Sequence, residues 1–357
     1  MKTKRRVLAV MCAAVLVMGL SACGGSGSET QADTTAAGSQ EETTTASGTV
    51  AAEYTLNISV DASEEETIYK YAAKFGEELE FLSGGKLKAV VYGNGTLGGD
   101  SEALQSCADG SLAFVLSTTA PQVSIMPELA MFDLPNLFDD ISQFRSLFDN
   151  EAFYQKLTDI YQQGGFQLLG IADSGFRVMS SNVKVEALSN MTGIKIRTMQ
   201  NSNHIAIWQA YGANPTPMSF SEVYIGLQQG TIDAQENPIE VLVSSKFYEQ
   251  QKHVILTNHL THACVLLMSG AVYTDLPAEY QEMVVQAAET ATQYTRDLSD
   301  TQTAEQLAFL EKQGTEVIPL SDEIRGQLRE AAQSVYQMIG EQIGQELMDL
   351  MLEAAGK

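Results

Sequence analysis

Three sets of residues carry enough chemistry to suggest a function. Gly93, Gly95 and Gly98, in VVYGNGTLGGD (90–100), spell G-x-G-x-x-G between a strand-like run and a helical pattern. At such a turn, glycines let the backbone approach a pyrophosphate at a helix N-terminus. A dinucleotide fold also needs an acid near the end of the next strand, to hold the ribose. That strand ends Leu116-Ser117-Thr118-Thr119 and carries none. The glycines are therefore read as a strand-to-helix corner needing positive φ and close approach. The second set is His204, His253, His259 and His262. HVILTNHLTH lacks the paired spacing of a helical metal site, so its histidines are read as loop or strand-edge residues. No G-x-S-x-G elbow is present. The third set is Arg177, in FRVMSS, and Arg197, in IKIRTM. Arg197 lies among Ile194, Ile196 and Met199, so its guanidinium is expected to be buried and to need an acceptor. That acceptor is either an internal Asp or Glu, or a ligand carboxylate held by two parallel N–H groups. No cofactor is expected.

The elements around these residues alternate between strand and helix patterns. YTLNISV (54–60), KLKAVVY, SLAFVLS, FQLLGIA, FRVMSS, IKIRTM, TIDAQE and ACVLLMS read as strands. TIYKYAAKFGEELEFL, DSEALQSCA, SNHIAIWQAYG and FSEVYIGLQQG read as helices, with Asp100 as an N-cap. Ser219 and Glu222 have the spacing of a capping box, so a helix should start at about Phe220 and Glu222 should cap rather than bind. Trp208 and Tyr211 are read as core. The alternation implies α/β lobes with mostly parallel pairing. Pro277 opens a helical pattern that runs to about Gln313, before Gly314. At 1.5 Å per residue it spans about 50 Å, enough to cross two lobes.

The N-terminus bears on compartment. MKTKRR followed by VLAVMCAAVLVMGL has the layout of a secretory leader. Leu20-Ser21-Ala22-Cys23 resembles the lipobox of bacterial lipoproteins, which implies cleavage before Cys23 and lipidation of Cys23. Residues 23–50 contain almost no large apolar side chain and are expected to be a flexible tether. The formal charge is −24 for the whole chain and −28 once the leader, with four basic residues and no acids, is removed. So acidic a surface repels nucleic acid and anionic headgroups. Cys107 and Cys264 remain, and either one disulfide or two buried thiols fits them.

The segment GIKIRTMQNSNHIAIWQAYGANPTPMSFSEVYIGLQQGTIDAQENP (193–238) resembles the solute-binding proteins of tripartite ATP-independent periplasmic (TRAP) transporters, the DctP family. That family's pattern runs G-x-K-[IL]-R, then G-A-x-P-T-P-M-x-F-x-E-V-Y, then E-N-P. Gly226 and Ala234 are the departures. SGGKLKAVVYGNGTLGGD, ELAMFDLPNLF, GFRVMSS and KFYEQQKHVILTNH extend the resemblance along most of the chain. It implies a two-lobe, periplasmic-binding-protein-like α/β fold with a hinge and a long helix spanning both lobes. Lobe I is expected to hold 51–173 plus about 263–305, and lobe II 174–262 plus about 306–357.

By the same resemblance Arg197 is the carboxylate anchor and Arg177 a second arginine near the pocket, with a hinge or surface salt bridge as its alternative role. Asn237 donates its amide to the ligand, Phe220 packs against the ligand body, and Asp61 and Thr118 close the cleft from the other lobe. Thr118 stands where the sialic-acid branch would carry an acid, which disfavours sialate. The expected function is capture of a C4-dicarboxylate or sugar acid and delivery to a small and a large TRAP membrane subunit. No catalysis is expected, and the protein is expected to be lipid-anchored on the outer face of the cytoplasmic membrane. The alternatives are a receptor for an ABC importer, an extracellular enzyme and a plain adhesive lipoprotein.

Overall fold

The computed structural model describes residues 51–357. The leader, the lipidation of Cys23 and the tether over 23–50, all expected from the sequence, fall outside the described residues.

Nine strands form one sheet: β1 Tyr54–Val60, β2 Leu87–Tyr92, β3 Phe114–Thr118, β4 Phe166–Ser181, β5 Lys195–Thr198, β6 Asn214–Pro217, β7 Ala234–Pro238, β8 His253–Ser269 and β9 Glu316–Pro319. Their order is β2-β1-β3-β8-β4-β7-β5-β6, with β9 added beside β8. Two long strands generate the two-lobe plan. β4 and β8, of 16 and 17 residues, pair antiparallel. Cys264–Met268 of β8 pairs with β3, which carries β1 and β2. Arg177–Ser181 of β4, toward its other end, pairs with β7, which carries β5 and then β6. Between these wings the register slips from Asp173 to Phe176 and again from Arg177 to Met179. Gly175, at the first slip, takes a φ of 78°.

This corrects two expectations. The turn-forming run Asp173-Ser174-Gly175 separates FQLLGIA from FRVMSS in the sequence. The chain instead carries one strand through it as an irregularity, which bends a strand without ending it. Pairing is also not mostly parallel throughout. It is parallel within each wing, antiparallel where the crossing strands β4 and β8 meet each other and β7 and β3, and parallel again where β9 joins β8. β6, with Pro215 and Pro217, escaped the sequence reading; it lies at the sheet edge, where proline is tolerated.

Helices cover the sheet. Thr67–Leu82 buries Thr67, Ile68, Tyr71, Ala72, Phe75, Gly76 and Leu79, the stripe its 3.6-residue period predicts. The helix Ala278–Lys312 begins directly after Pro277, as expected, and runs 35 residues. Its Tyr280, Val284, Ala287, Ala288 and Ala291 join the core of β1, β3 and the helix Thr67–Leu82. Its Leu310 joins Val178, Ile239, Leu242 and Val254. One helix thus contributes to the core of both lobes. At the crossing, Arg145 bridges buried Asp173 of β4 (2.7 Å) and Asp300 of the long helix (2.9 Å). The final helices, Gln333–Ile343 and Gln345–Ala354, reach back to 127–139: Tyr336 Oη donates to the Pro135 carbonyl at 3.0 Å, and Lys357 pairs with Asp139 at 2.8 Å. Cys107 and Cys264 are both buried free thiols. Among the described residues no helix is long and apolar enough to cross a membrane.

Candidate ligand-binding cleft

A cavity of about 610 Å³ opens where the C-terminal ends of β1, β3, β5 and β7 converge, the usual place for a ligand on an open α/β sheet. Asp61 follows β1, Thr118 ends β3, Arg197 lies in β5 and Asn237 in β7. All four line the cavity together with Phe220. Five of the six residues singled out in the sequence are thus brought together. Arg177 is not among the residues lining the main cavity; it borders a small adjoining crevice with His204 and His262.

Arg197 is 3% exposed. Its Nε and Nη2 both donate to the Met218 carbonyl, at 3.0 and 2.8 Å, and among the described residues Nη1 has no partner. Among the described residues arginine ion pairs form at Arg145, Arg177 and Arg329, but none at Arg197. Burial is the main influence lowering its pKa, to about 10, with Arg177 adding to it and Glu236, Asp100 and Asp61 opposing. At neutral pH it is therefore a desolvated cation on a cavity wall, held in direction by one neutral carbonyl. Its guanidinium carbon lies 6.0 Å from the centre of the Phe220 ring. Phe220 is in turn braced edge-on by Phe247. The Ser219–Glu222 capping box is present, with Ser219 Oγ 2.6 Å from Glu222 Oε2, so Glu222 caps as read from its spacing. Trp208 and Tyr211 are buried.

Arg177 is as deeply buried, at 2%, but fully engaged. Nε donates to Glu236 Oε2 at 2.5 Å, and Nη2 reaches Glu236 Oε1 (2.8 Å), the Glu236 carbonyl and Asn237 Oδ1 (3.1 Å). Nη1 meets His262 Nδ1. His259 Nε2 lies 3.0 Å from Glu236, and His204 Nε2 lies 3.1 Å from Asp133. Burial alone would raise Glu236, but Arg177 and the two histidines outweigh it and hold the carboxyl well below its usual range. Burial likewise opposes charge on His204, yet Asp133 and Glu236 bring it up to about 9. His259 and His262 are held down, chiefly by burial. His259 and His262 are therefore not loop or strand-edge residues, while His204 lies in the helix Ser202–Ala210 read from its pattern. Thr257, His259 and His262 of HVILTNHLTH are buried inside β8, whereas His253, at its first residue, is half-buried beside exposed Glu316.

The opposite wall was largely missed in the sequence. Beside Asp61 it carries Glu66, Asp100 and Glu102. Asp100 is not the N-cap; Gly99 is, and Asp100 is the first helical residue. Burial raises Asp61, and brings both Glu66 and Asp100 up to about 7. The glycine corner is what seats these acids. Gly95 and Gly98 take positive φ, as expected. A Cβ at Gly95 would lie 2.8 Å from Asp61 Oδ1, and one at Gly99 would lie 3.2 Å from Glu102 Oε2 and 3.9 Å from Asp61 Oδ2. Gly93 is confined differently, against the Tyr69 ring and the Ala62 carbonyl.

With this geometry in place, comparison with known proteins is specific. Residues 58–342 match the model of DctP, bacterial extracellular solute-binding protein, family 7. A solute-binding protein of Verminephrobacter eiseniae is 34% identical over 278 residues, 78% of this chain and 83% of that protein. The galactonate complex of a sugar-acid-binding protein from Advenella mimigardefordensis superposes with a TM-score of 0.82 at 30% identity, covering 86% of this chain and 99% of the other. A TRAP periplasmic solute-binding protein of Sulfurospirillum deleyianum with bound succinate gives 0.79 at 30% identity, covering 84% and 98%.

Proposed function

The chain belongs to the DctP family of bacterial extracellular solute-binding proteins and is a TRAP-type solute receptor; on that premise we propose that Arg197 anchors the carboxylate of a small organic acid closed between the two lobes. The observation that carries this is the state of Arg197: a buried cation with a free Nη1, no ion pair and a cavity in front of it. Desolvating a guanidinium without a partner is costly unless an anion supplies the missing interaction, and the planar fork suits a carboxylate. Asn237, whose Oδ1 accepts from Arg177 and whose Nδ2 donates to Gln235 Oε1 at 2.7 Å, lines the same cavity and offers its second amide N–H to the ligand, and Phe220 packs on the ligand body. Asp61 and Thr118 contact the ligand from lobe I, taken as 51–173 plus about 263–305. Lobe II, 174–262 plus about 306–357, carries the anchor. The irregular stretch Asp173–Met179 of β4 is the hinge. Arg177 acts behind the site, orienting Asn237.

The receptor is extracytoplasmic. Anchoring through a lipidated Cys23, and delivery to small and large TRAP membrane subunits, complete the proposal. No turnover of the ligand is part of it. A thermal-shift screen of the purified chain against organic acids tests the reading. One or more carboxylates should raise the melting temperature, and Arg197→Ala should abolish the shift. A full response in that variant would remove Arg197 from the anchor role.

A further inference from the structure

The cleft is asymmetric in charge. One wall offers a single cation, Arg197. The other offers four carboxylates, Asp61, Glu66, Asp100 and Glu102. Among the described residues none of the four forms an ion pair; lysines 74, 86, 184 and 357 are paired elsewhere. Glu66 accepts only from the backbone N–H and hydroxyl of Ser63, at 2.9 and 3.0 Å. Asp61 and Glu102 converge on Gly99, in a corner kept open by the absence of side chains at Gly95 and Gly99. Two opposed features thus point at one cavity: a buried cation lacking an anion, and acceptors lacking donors.

We propose that the cleft selects its ligand by charge count, taking one carboxylate on Arg197, welcoming hydroxyl or ammonium donors at the far end, and excluding a second carboxylate through Asp61, Asp100 and Glu102. This rests on the carboxylate-receptor reading above and narrows it. A monocarboxylate with a donor-rich tail satisfies both walls. A dicarboxylate satisfies Arg197 and sets its second charge against several like charges across the cleft.

The test uses three six-carbon acids on one skeleton: galactonate, with hydroxymethyl at carbon 6; 6-amino-6-deoxygalactonate, with ammonium there; and galactarate, with carboxylate. The matching gluco and manno series are run alongside, with succinate, by calorimetry on the purified chain at pH 8. In any series that binds, the hydroxymethyl or ammonium member should bind on the order of a hundredfold tighter than the dicarboxylate, since like-charge juxtaposition costs several kcal/mol. Which of the two is tighter separates a sugar acid from a zwitterion. Asp100→Asn combined with Glu102→Gln should shrink the dicarboxylate penalty at least tenfold, and an unchanged far-UV circular dichroism spectrum with a cooperative melt shows that it is folded. Equal affinity for both ends, succinate as the tightest ligand, or a penalty untouched in the double variant would overturn the proposal while leaving the receptor reading intact. Failure of every carboxylate to bind would overturn the receptor reading, and this inference with it.

Discussion

Arg177 and Arg197 are buried to nearly the same extent, in neighbouring parts of one sheet, and do opposite things. Arg177 has a carboxylate, two further oxygen acceptors and a histidine around it. Arg197 has one carbonyl. Burial alone therefore does not identify a ligand anchor. What does is burial with an acceptor missing, on a cavity wall. The first arginine is part of the framework, the second part of the site, and each can be challenged by removing it.

The largest effect should follow from Arg177→Met. It leaves Glu236 buried without its guanidinium, with only His259 and His204 beside it, and breaking such a buried pair typically costs about 3–5 kcal/mol. Urea denaturation should show that loss in the ligand-free protein. Arg177→Met combined with Glu236→Leu should lose clearly less than the two single variants added together. Additive losses would mean that the pair is not the unit inferred here.

Arg197→Met should invert this pattern. Ligand-free stability should stay within about 1 kcal/mol of the parent or rise, because a desolvated charge without a partner has been removed. Affinity for the carboxylate should fall on the order of a hundredfold, the scale of losing a buried charge-assisted pair of about 3 kcal/mol. A variant that unfolds as readily as Arg177→Met would make Arg197 structural.

The same contrast extends to the acids, and pH reveals it. Glu236, depressed by its partners, contributes stability above the unfolded carboxylate pKa and loses it only as pH falls through its low folded value. Glu66 and Glu240 behave the other way. Burial brings Glu66 up to about 7 and, reinforced by the nearby Glu66 carboxyl, Glu240 up to about 8. Glu240 Oε2 accepts from the Thr67 N–H at 3.3 Å, but Oε1 is buried with no partner. A raised carboxyl favours the folded state when protonated, so its contribution is complete below about pH 4 and is lost as pH rises through 7 to 8. Asp61 and Lys70 add their fields to this pair, in opposite senses. Melting temperature of the ligand-free protein should thus decline from pH 5 to pH 8.5, and Glu240→Gln should flatten the decline. An unchanged slope in that variant would assign the decline to other groups.

How much of this was legible in the sequence depends on separation along the chain. The long helix announced itself through Pro277, Gly314 and one unbroken period. Arg197, Phe220 and Asn237 were legible because their motif lies within 193–238. The division of labour between the arginines was not, because FRVMSS and IKIRTM present the same picture: a cation in an apolar run. What distinguishes them is Glu236, brought to Arg177 only by the antiparallel pairing of β4 with β7. The acid wall was hidden for a related reason. Asp61 and Asp100 meet because β1 and β2 run parallel and end together, with Ser59 beside Tyr92. Each acid alone reads as the end of a strand or the start of a helix. The crossing strands were cut short because the polar residues lining the buried network interrupt their apolar runs.

The smallest expected effect tests how firmly the unpaired arginine is aimed. The Met218 carbonyl, its only acceptor among the described residues, directly precedes the Ser219 cap, and Phe220 directly follows it. Ser219→Ala removes the hydroxyl that bonds Glu222 and weakens the start of the helical segment. Loss of such a cap costs about 1 kcal/mol. If that corner holds the guanidinium and the ring in register, affinity should drop a few-fold while Arg177 and its network keep global stability within about the same 1 kcal/mol. Glu222→Gln, which retains an acceptor at the same place, should restore most of the affinity lost in Glu222→Ala. If calorimetry gives unchanged affinity for Ser219→Ala and Glu222→Ala alike, the aim of Arg197 comes from β5 itself, and the corner after it only turns the chain.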